Sequence, residues 1–222
     1  MADSTNRTVL LEERVLSQND HLAEHNRAWL REHDVLAVNV MSSPGSGKTT
    51  LLVRTISDLS ARVDVPAISV IEGDQETTVD AERVRATGCP VVQINTGSGC
   101  HLDAEMVDAA LHRLDPVTGS TVIVENVGNL VCPALFDLGE AARVVIMSVT
   151  EGADKPIKYP HMFRTADAVI LNKIDLLPYV DFDVDAFTDH LSHVLPDPVV
   201  LPVSATRGDG MDAWYAWLDK QR

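Results

Sequence analysis

The run Ser42-Ser43-Pro44-Gly45-Ser46-Gly47-Lys48-Thr49-Thr50 sets two glycines, one lysine and several hydroxyls into nine residues. Gly45 and Gly47 free successive backbone N–H groups to converge as an anion nest. A helix opening at Lys48 would add the partial positive charge of its N-terminus. Lys48 would then reach the outer phosphates of a nucleoside triphosphate, and the Thr49 hydroxyl would face Mg²⁺. Pro44, Gly45, Ser46, Gly47, Lys48, Thr49 and Thr50 are therefore the expected phosphate cradle. Ser42 stands where the usual pattern has its first glycine; the close approach rests on the later two. The alternative is a Gly-rich turn that merely caps a helix, and the apolar run 35–41 leading straight into the turn argues against it. The chain has five lysines, and two of them, Lys48 and Lys173, fall in motifs.

The second motif is Asn172-Lys173-Ile174-Asp175, after the apolar run 168–171. A carboxylate at Asp175 can accept two hydrogen bonds from the N1–H and N2–H₂ of guanine. Adenine offers no such donor pair, so the carboxylate would be left unpaired and ATP rejected. Asn172 braces the loop, and the Lys173 stem can lie on the base face. Four residues alone also fit a polar turn; their place, over a hundred residues after a phosphate loop, gives them weight. Ser204-Ala205, after the apolar run 199–203, falls where a backbone N–H would meet guanine O6.

Two carboxylates fall near the phosphate loop. Asp74, in Glu72-Gly73-Asp74, follows the run 67–71 at a strand's C-terminal end, where a Mg²⁺ or water ligand belongs in a doubly wound fold. The alternative for Asp74 is a helix N-cap, and Asp80 reads as a partner of Arg83 three residues on. Glu125, in Glu125-Asn126-Val127-Gly128, could bind Mg²⁺ through water, orient an attacking water, or simply cap the next turn. The Gly128 N–H could meet a γ-phosphate.

Cys100-His101 follow a further apolar run, and Cys132 lies 132 − 101 = 31 residues beyond His101. Thiolate and imidazole suit Ni²⁺ and Zn²⁺. One chain offers three ligands; two chains would offer six at a two-fold axis. The competing reading makes these cysteines small buried hydrophobes, and no paired-cysteine spacing argues against it. Cys89 fits the buried reading better. The helical pairs His21/His25 and His190/His193 are read as exposed histidines.

These residues need a frame. Apolar pairs at Val15/Leu16, Leu22/Ala23 and Trp29/Leu30 predict an amphipathic N-terminal helix with those pairs buried. From 35 onward seven short β-branched runs alternate with helical stretches, which predicts a mostly parallel sheet covered on both faces, an α/β fold. The expected division is 1–34 as tail and helix and 35–222 as a single nucleotide-binding domain. With 18 Lys+Arg against 33 Asp+Glu, the net charge is −15, which excludes gripping nucleic acid or anionic membrane through a basic field. Three cysteines do not make a disulfide framework. No apolar leader or membrane-length run is present, so a cytoplasmic protein is expected.

Taken together, the sequence resembles the hydrogenase nickel-incorporation GTPases, the HypB family, over nearly its whole length. The resemblance rests on Asn19-Asp20 and Asn26-Arg27-Ala28-Trp29, on 42–50, 72–74, Asn95-Thr96-Gly97, Cys100-His101-Leu102-Asp103 and Asn172-Lys173-Ile174-Asp175, and above all on Glu125-Asn126-Val127-Gly128-Asn129-Leu130-Val131-Cys132-Pro133. It implies a P-loop NTPase three-layer αβα fold of the SIMIBI class, GTP/GDP and Mg²⁺ as cofactors, Ni²⁺ or Zn²⁺ at Cys100, His101 and Cys132, and GTP-linked homodimerisation. It also implies GTP hydrolysis coupled to nickel delivery, with hydrogenase maturation proteins and the hydrogenase large-subunit precursor as partners. Residues 1–35 contain no cysteine, so the N-terminal C-x-x-C-G-C store of some relatives is not expected. A urease-type nickel GTPase would use a Cys-Pro-His motif that this chain lacks, and a nickel carrier with a purely structural nucleotide site is the other rival.

Overall fold

A computed structural model describes the backbone of residues 3–222 except 63–64 and 76–77, with side chains described from Arg14 onward. Helix α1 (Asp3–Glu32) precedes a seven-stranded sheet. The strands are β1 (Leu36–Ser42), β2 (Ile68–Asp74), β3 (Val91–Asn95), β4 (Thr121–Gly128), β5 (Ala142–Ser148), β6 (Ala168–Asn172) and β7 (Val200–Pro202). Their spatial order is β3-β2-β4-β1-β5-β6-β7, and all pairings are parallel. The expected α/β architecture is thus the observed one.

Near-continuous burial along β1, β4 and β6 requires helices on both faces. On one face Val38, Val40, Ile123 and Ile146 pack against α2 (Lys48–Ser60) and α8 (Met211–Asp219). Helix α3 (Val79–Arg85) extends that layer through Val84, beside Val70, Ile56 and Cys89. On the other face Ala37, Ile71, Val122 and Val124 meet Leu30 of α1 and Val107 and Leu111 of α4 (Ala104–Leu114). Further along this face Val145, Met147 and Val169 pack on α6 (Pro160–Arg164) and α7 (Val184–Ser192), which the short α5 (Lys155–Lys158) precedes.

β1 lies between β4 and β5, and the order along the sheet reverses around it. Such a switch point opens a crevice beyond the strands' carboxyl ends, which is where ligands bind in open α/β sheets. The 42–50 run leaves β1 at that point.

Two expectations about elements are corrected. The apolar run 121–124 predicts a strand that stops before Glu125, but β4 runs on to Gly128, so Glu125 lies inside the strand. Among the described residues of α1 the buried positions are Asn19, Ala23, Asn26 and Leu30, while Val15 is 50% exposed and Leu16, Leu22 and Trp29 are half-buried. The buried stripe is rotated away from the apolar pairs because two carboxamides on α1 bond to the body of the protein.

Candidate functional site

Alternation along β2 and β4 builds the nucleotide cleft. Side chains two apart share a face, so Val70, Glu72 and Asp74 point one way, toward α2, as do Ile123 and Glu125. Glu72 and Glu125 are direct partners across the β2/β4 ladder, and both are buried. The Thr49 hydroxyl donates to Glu125 Oε1 at 2.8 Å. The second oxygens, Glu72 Oε2 and Glu125 Oε2, are buried without a hydrogen-bond partner. Acceptors left bare in a cleft suit a cation, so the residues present fit Mg²⁺.

The cleft has a volume of about 500 Å³ and is lined by the 44–50 loop together with Glu72, Asp74, Glu125, Gly128 and Lys173. Burial raises the Glu72 pKa to about 8, with the nearby Glu125, Asp74 and Asp80 carboxylates adding to the effect. Burial also raises Glu125, against the pull of Lys48 and the Thr49 hydroxyl. Burial lowers the Lys48 amine, against the pull of Glu125, Asp80, Glu72 and Asp74. Charged groups are thus desolvated and facing one another, an arrangement that an anion bridged by a divalent cation would relieve.

The loop itself is stitched from below. Ser42, at the position of the usual first glycine, accepts from the Lys48 ammonium at 3.0 Å. Gly47 has φ +97°, and a Cβ there would stand 2.5 Å from the Asn172 amide nitrogen. That amide donates to the Ser46 carbonyl at 3.0 Å, and Lys173 Nζ donates to the Gly45 carbonyl at 2.6 Å. Asn172 Oδ1 accepts from Lys173 N and from Ala205 N, and the Ser204 hydroxyl donates to Asp175 at 2.6 Å. Asn172, Lys173, Asp175, Ser204 and Ala205 are therefore one connected cluster joined to the phosphate loop. Asp74 is the last residue of β2 and accepts from Gln75 N at 2.8 Å; the residue that precedes α3 as its cap is Thr78, not Asp74. Gly128 closes over Pro44: a Cβ there would lie 3.2 Å from Pro44 Cα. Asp80 pairs with Arg83 at 3.1 Å, as its spacing predicts.

Glu72 is the functional residue that sequence reasoning missed. Period-two alternation along β2 puts Glu72 on the same face as Asp74.

A second cluster lies on the other side of β4. The ligand atoms of Cys100, His101 and Cys132 fall within 4.8 Å of one another, each residue half-buried. Cys100 Sγ is 3.6 Å from His101 Nδ1, and the His101 ring stacks on Phe136 with centroids 3.8 Å apart. The hydrogen bond with Cys132, more than burial, raises the Cys100 thiol. Burial lowers His101, which favours the neutral imidazole that binds metal. Two soft sulfurs and one imidazole fit Ni²⁺ or Zn²⁺. Cys89 stands apart: it is buried, its thiol meets the Ile68 carbonyl at 3.2 Å, and burial pushes its pKa up to about 12.

Comparison with known proteins agrees with this geometry. The family described as CobW/HypB/UreG, nucleotide-binding domain, matches residues 36–201. The chain is 55% identical over 219 residues to the hydrogenase maturation factor HypB of Azotobacter vinelandii, covering 99% of this chain and 71% of that one. The chain belongs to the HypB family of hydrogenase maturation factors. A HypB crystal structure from Archaeoglobus fulgidus superposes with a TM-score of 0.83 at 40% identity, covering 92% of this chain and 98% of that one. HypB from Helicobacter pylori, solved in complex with nickel, also gives 0.83, at 36% identity, covering 92% and 95%. HypB kinship carries with it a nucleotide-binding P-loop domain and a place in hydrogenase maturation. Among the described residues no helix is long and apolar enough to cross a membrane.

Proposed function

We propose that this chain hydrolyses GTP and uses the nucleotide cycle to control a transferable nickel ion during [NiFe]-hydrogenase maturation. The observation that carries this reading is the economy of one segment. Glu125 of β4 bonds Thr49 on the nucleotide side, and Cys132, seven residues on (132 − 125 = 7), belongs to the soft-metal triad. A change at the γ-phosphate has a covalent path of a few residues to a metal ligand.

In this reading the phosphates lie against the 44–50 loop, with Lys48 neutralising the outer oxygens and the Gly128 N–H directed at the γ-phosphate. Thr49, Asp74 and Glu125, now joined by Glu72, are the residues that would hold Mg²⁺. When bound, Mg²⁺ spreads the charge that develops on the bridging and terminal phosphate oxygens. Asn172, Lys173, Asp175, Ser204 and Ala205 select guanine. The metal cargo, Ni²⁺ with Zn²⁺ as competitor, is held by Cys100, His101 and Cys132. Three ligands leave a position open for a second copy of the chain or for transfer. Val131 and Leu135, 53% and 52% exposed on either side of Cys132, give a GTP-linked homodimer an apolar contact at that place. The acceptor is the hydrogenase large-subunit precursor, with other maturation proteins as partners, in the cytoplasm.

The test is nickel titration combined with mass measurement by chromatography and light scattering, in GDP and in a non-hydrolysable GTP analogue. The expected result is a nucleotide-dependent change in both nickel affinity and mass. Lys48→Ala should abolish that dependence and hydrogenase maturation while leaving nickel binding in place. Identical affinity in apo, GDP and analogue states, with maturation unaffected by Lys48→Ala, would make the chain a metal carrier with a structural nucleotide site.

A further inference from the structure

The α1 carboxamides bond to two separate pieces of chain, and these are the pieces that carry the soft-metal ligands. Asn19 Oδ1 accepts from Ala104 N at 2.9 Å, and Asn19 Nδ2 donates to the Asp137 carbonyl at 2.8 Å. Seven residues on, Asn26 Nδ2 donates to the Ala104 carbonyl at 2.8 Å and to the Leu138 carbonyl at 3.0 Å. Ala104 lies three residues after His101, at the first turn of α4. Asp137 and Leu138 lie five and six residues after Cys132, and Phe136, against which His101 stacks, immediately precedes them. Each amide thus bridges the Cys100/His101 segment to the Cys132 segment, and neither touches a ligand atom or the nucleotide cleft.

The seating is specific. Asn19 and Asn26 are 5% and 0% exposed; both ends of the Asn19 amide are paired, while Asn26 holds through its two N–H donations, its Oδ1 being buried without a partner. Gly139, at φ +87°, lets α1 come close: a Cβ there would lie 2.5 Å from the Ala23 carbonyl and 2.7 Å from Asn26 Cβ. A third amide joins the same two segments from within the sheet. Asn126, next to Glu125 in β4, accepts from Leu102 N at 3.2 Å and donates to Asn39, whose own amide reaches Glu140 at 3.1 Å. Glu140 in turn accepts from Leu138 N at 2.8 Å. The metal loops are therefore pinned to each other from both sides by groups that do not bind the metal.

We propose that α1 is a working part of the soft-metal site, in which Asn19 and Asn26 act as positioning residues that set the separation of Cys100/His101 from Cys132. This rests on the reading of that triad as a metal site. Groups behind the ligands are worth roughly 10- to 100-fold in metal affinity at other sites. Asn19→Ala and Asn26→Ala, in the full 222-residue chain, should each weaken nickel binding about ten-fold or more. The thiolate-to-nickel charge-transfer absorption should change with it, and GDP affinity should stay within about two-fold. Asn19→Asp keeps the acceptor for Ala104 N and loses the donor to Asp137, so its loss should be intermediate. Leu218→Ala, on α8 in the core layer on the opposite face of the sheet from α1 and α4, controls for simple loss of stability and should leave nickel affinity unchanged.

If the asparagine variants lower the melting temperature but keep nickel affinity and absorption, the amides hold the helix alone and the proposal is overturned. It is equally overturned if nickel and GDP affinities fall together, as they would from general unfolding. If the unaltered chain binds no nickel, it is the triad's assignment that fails.

Discussion

Replacing Glu72 by Gln tests the electrostatics of the nucleotide cleft without touching the phosphate loop. In the folded, metal-free protein Glu72 holds its proton up to a pH of about 8, against an ordinary value of 4.5. Burial is the largest cause, followed by the Glu125, Asp74 and Asp80 carboxylates, with Arg85 opposing. A raised carboxyl pKa means that between pH 4.5 and 8 the folded state binds more protons than the unfolded one. Unfolding free energy therefore falls as pH rises through that window and levels off above it. Between pH 6 and pH 9 the proton is lost over two units, so at 1.36 kcal/mol per unit the ceiling is about 2.7 kcal/mol. Relaxation and water entry should reduce this to about 1–2 kcal/mol. Urea unfolding of both proteins at half-unit steps, free of nucleotide and divalent metal, reads the effect of Glu72 and the carboxylates coupled to it, because contributions from carboxylates elsewhere cancel in the difference. The glutamine variant should gain on the unaltered protein steadily from pH 6 to 8, with the gain constant above 8. A difference that stays flat across pH 6–9 would refute the claim that Glu72 carries a proton against Glu125. Adding Mg²⁺ with GDP should remove most of the gain, since a cation then does what the proton did.

Two other predictions concern the base loop and the packing of α8 on α2. Asp175→Asn turns one guanine-directed acceptor into a donor, so GTP affinity should fall by 100-fold or more while xanthosine triphosphate, with a carbonyl at C2, binds better than before; competition against a fluorescent guanine nucleotide reads both. Trp214→Ala removes a fully buried indole whose N–H donates to Thr55 at 2.9 Å, clamping α8 to α2. It should cost about 3–5 kcal/mol of unfolding free energy in urea, with base selectivity of the remaining folded fraction unchanged.

The parts of the site that a sequence exposes are those where residue type and local spacing suffice. Gly47 and Lys48 are recognisable because a close backbone approach and a helix start both need particular residues at fixed offsets. Asn172 and Asp175 are recognisable for the same reason, although the bonds that tie them to Ser46 and Ser204 span 126 and 29 positions. The parallel sheet was legible because burial on both faces leaves runs of β-branched residues. Its strand ends were not, since β4 continues through Glu125 and Asn126 on the strength of their cross-strand partners rather than of their own propensities. Glu72 carries no motif signal of its own; what gives it a role is that β2 continues to Asp74, so the two carboxylates share a face.

The face of α1 was misread for a deeper reason. A hydrophobic stripe assumes that burial is driven by apolar area, and that holds for Ala23 and Leu30. Asn19 and Asn26 are buried instead because loop backbone groups at Ala104, Asp137 and Leu138 need partners that no neighbouring strand supplies. Two asparagines seven apart carry no apolar signal, and which carbonyls they meet depends on loops more than 75 residues away in the chain. The backbone groups at Ala104, Asp137 and Leu138 that these asparagines meet are not paired across the sheet ladder. They must then be satisfied by side chains from elsewhere. A buried polar residue at helical spacing, in a chain with an unexplained ligand triad, is therefore a reason to look for the loops it holds.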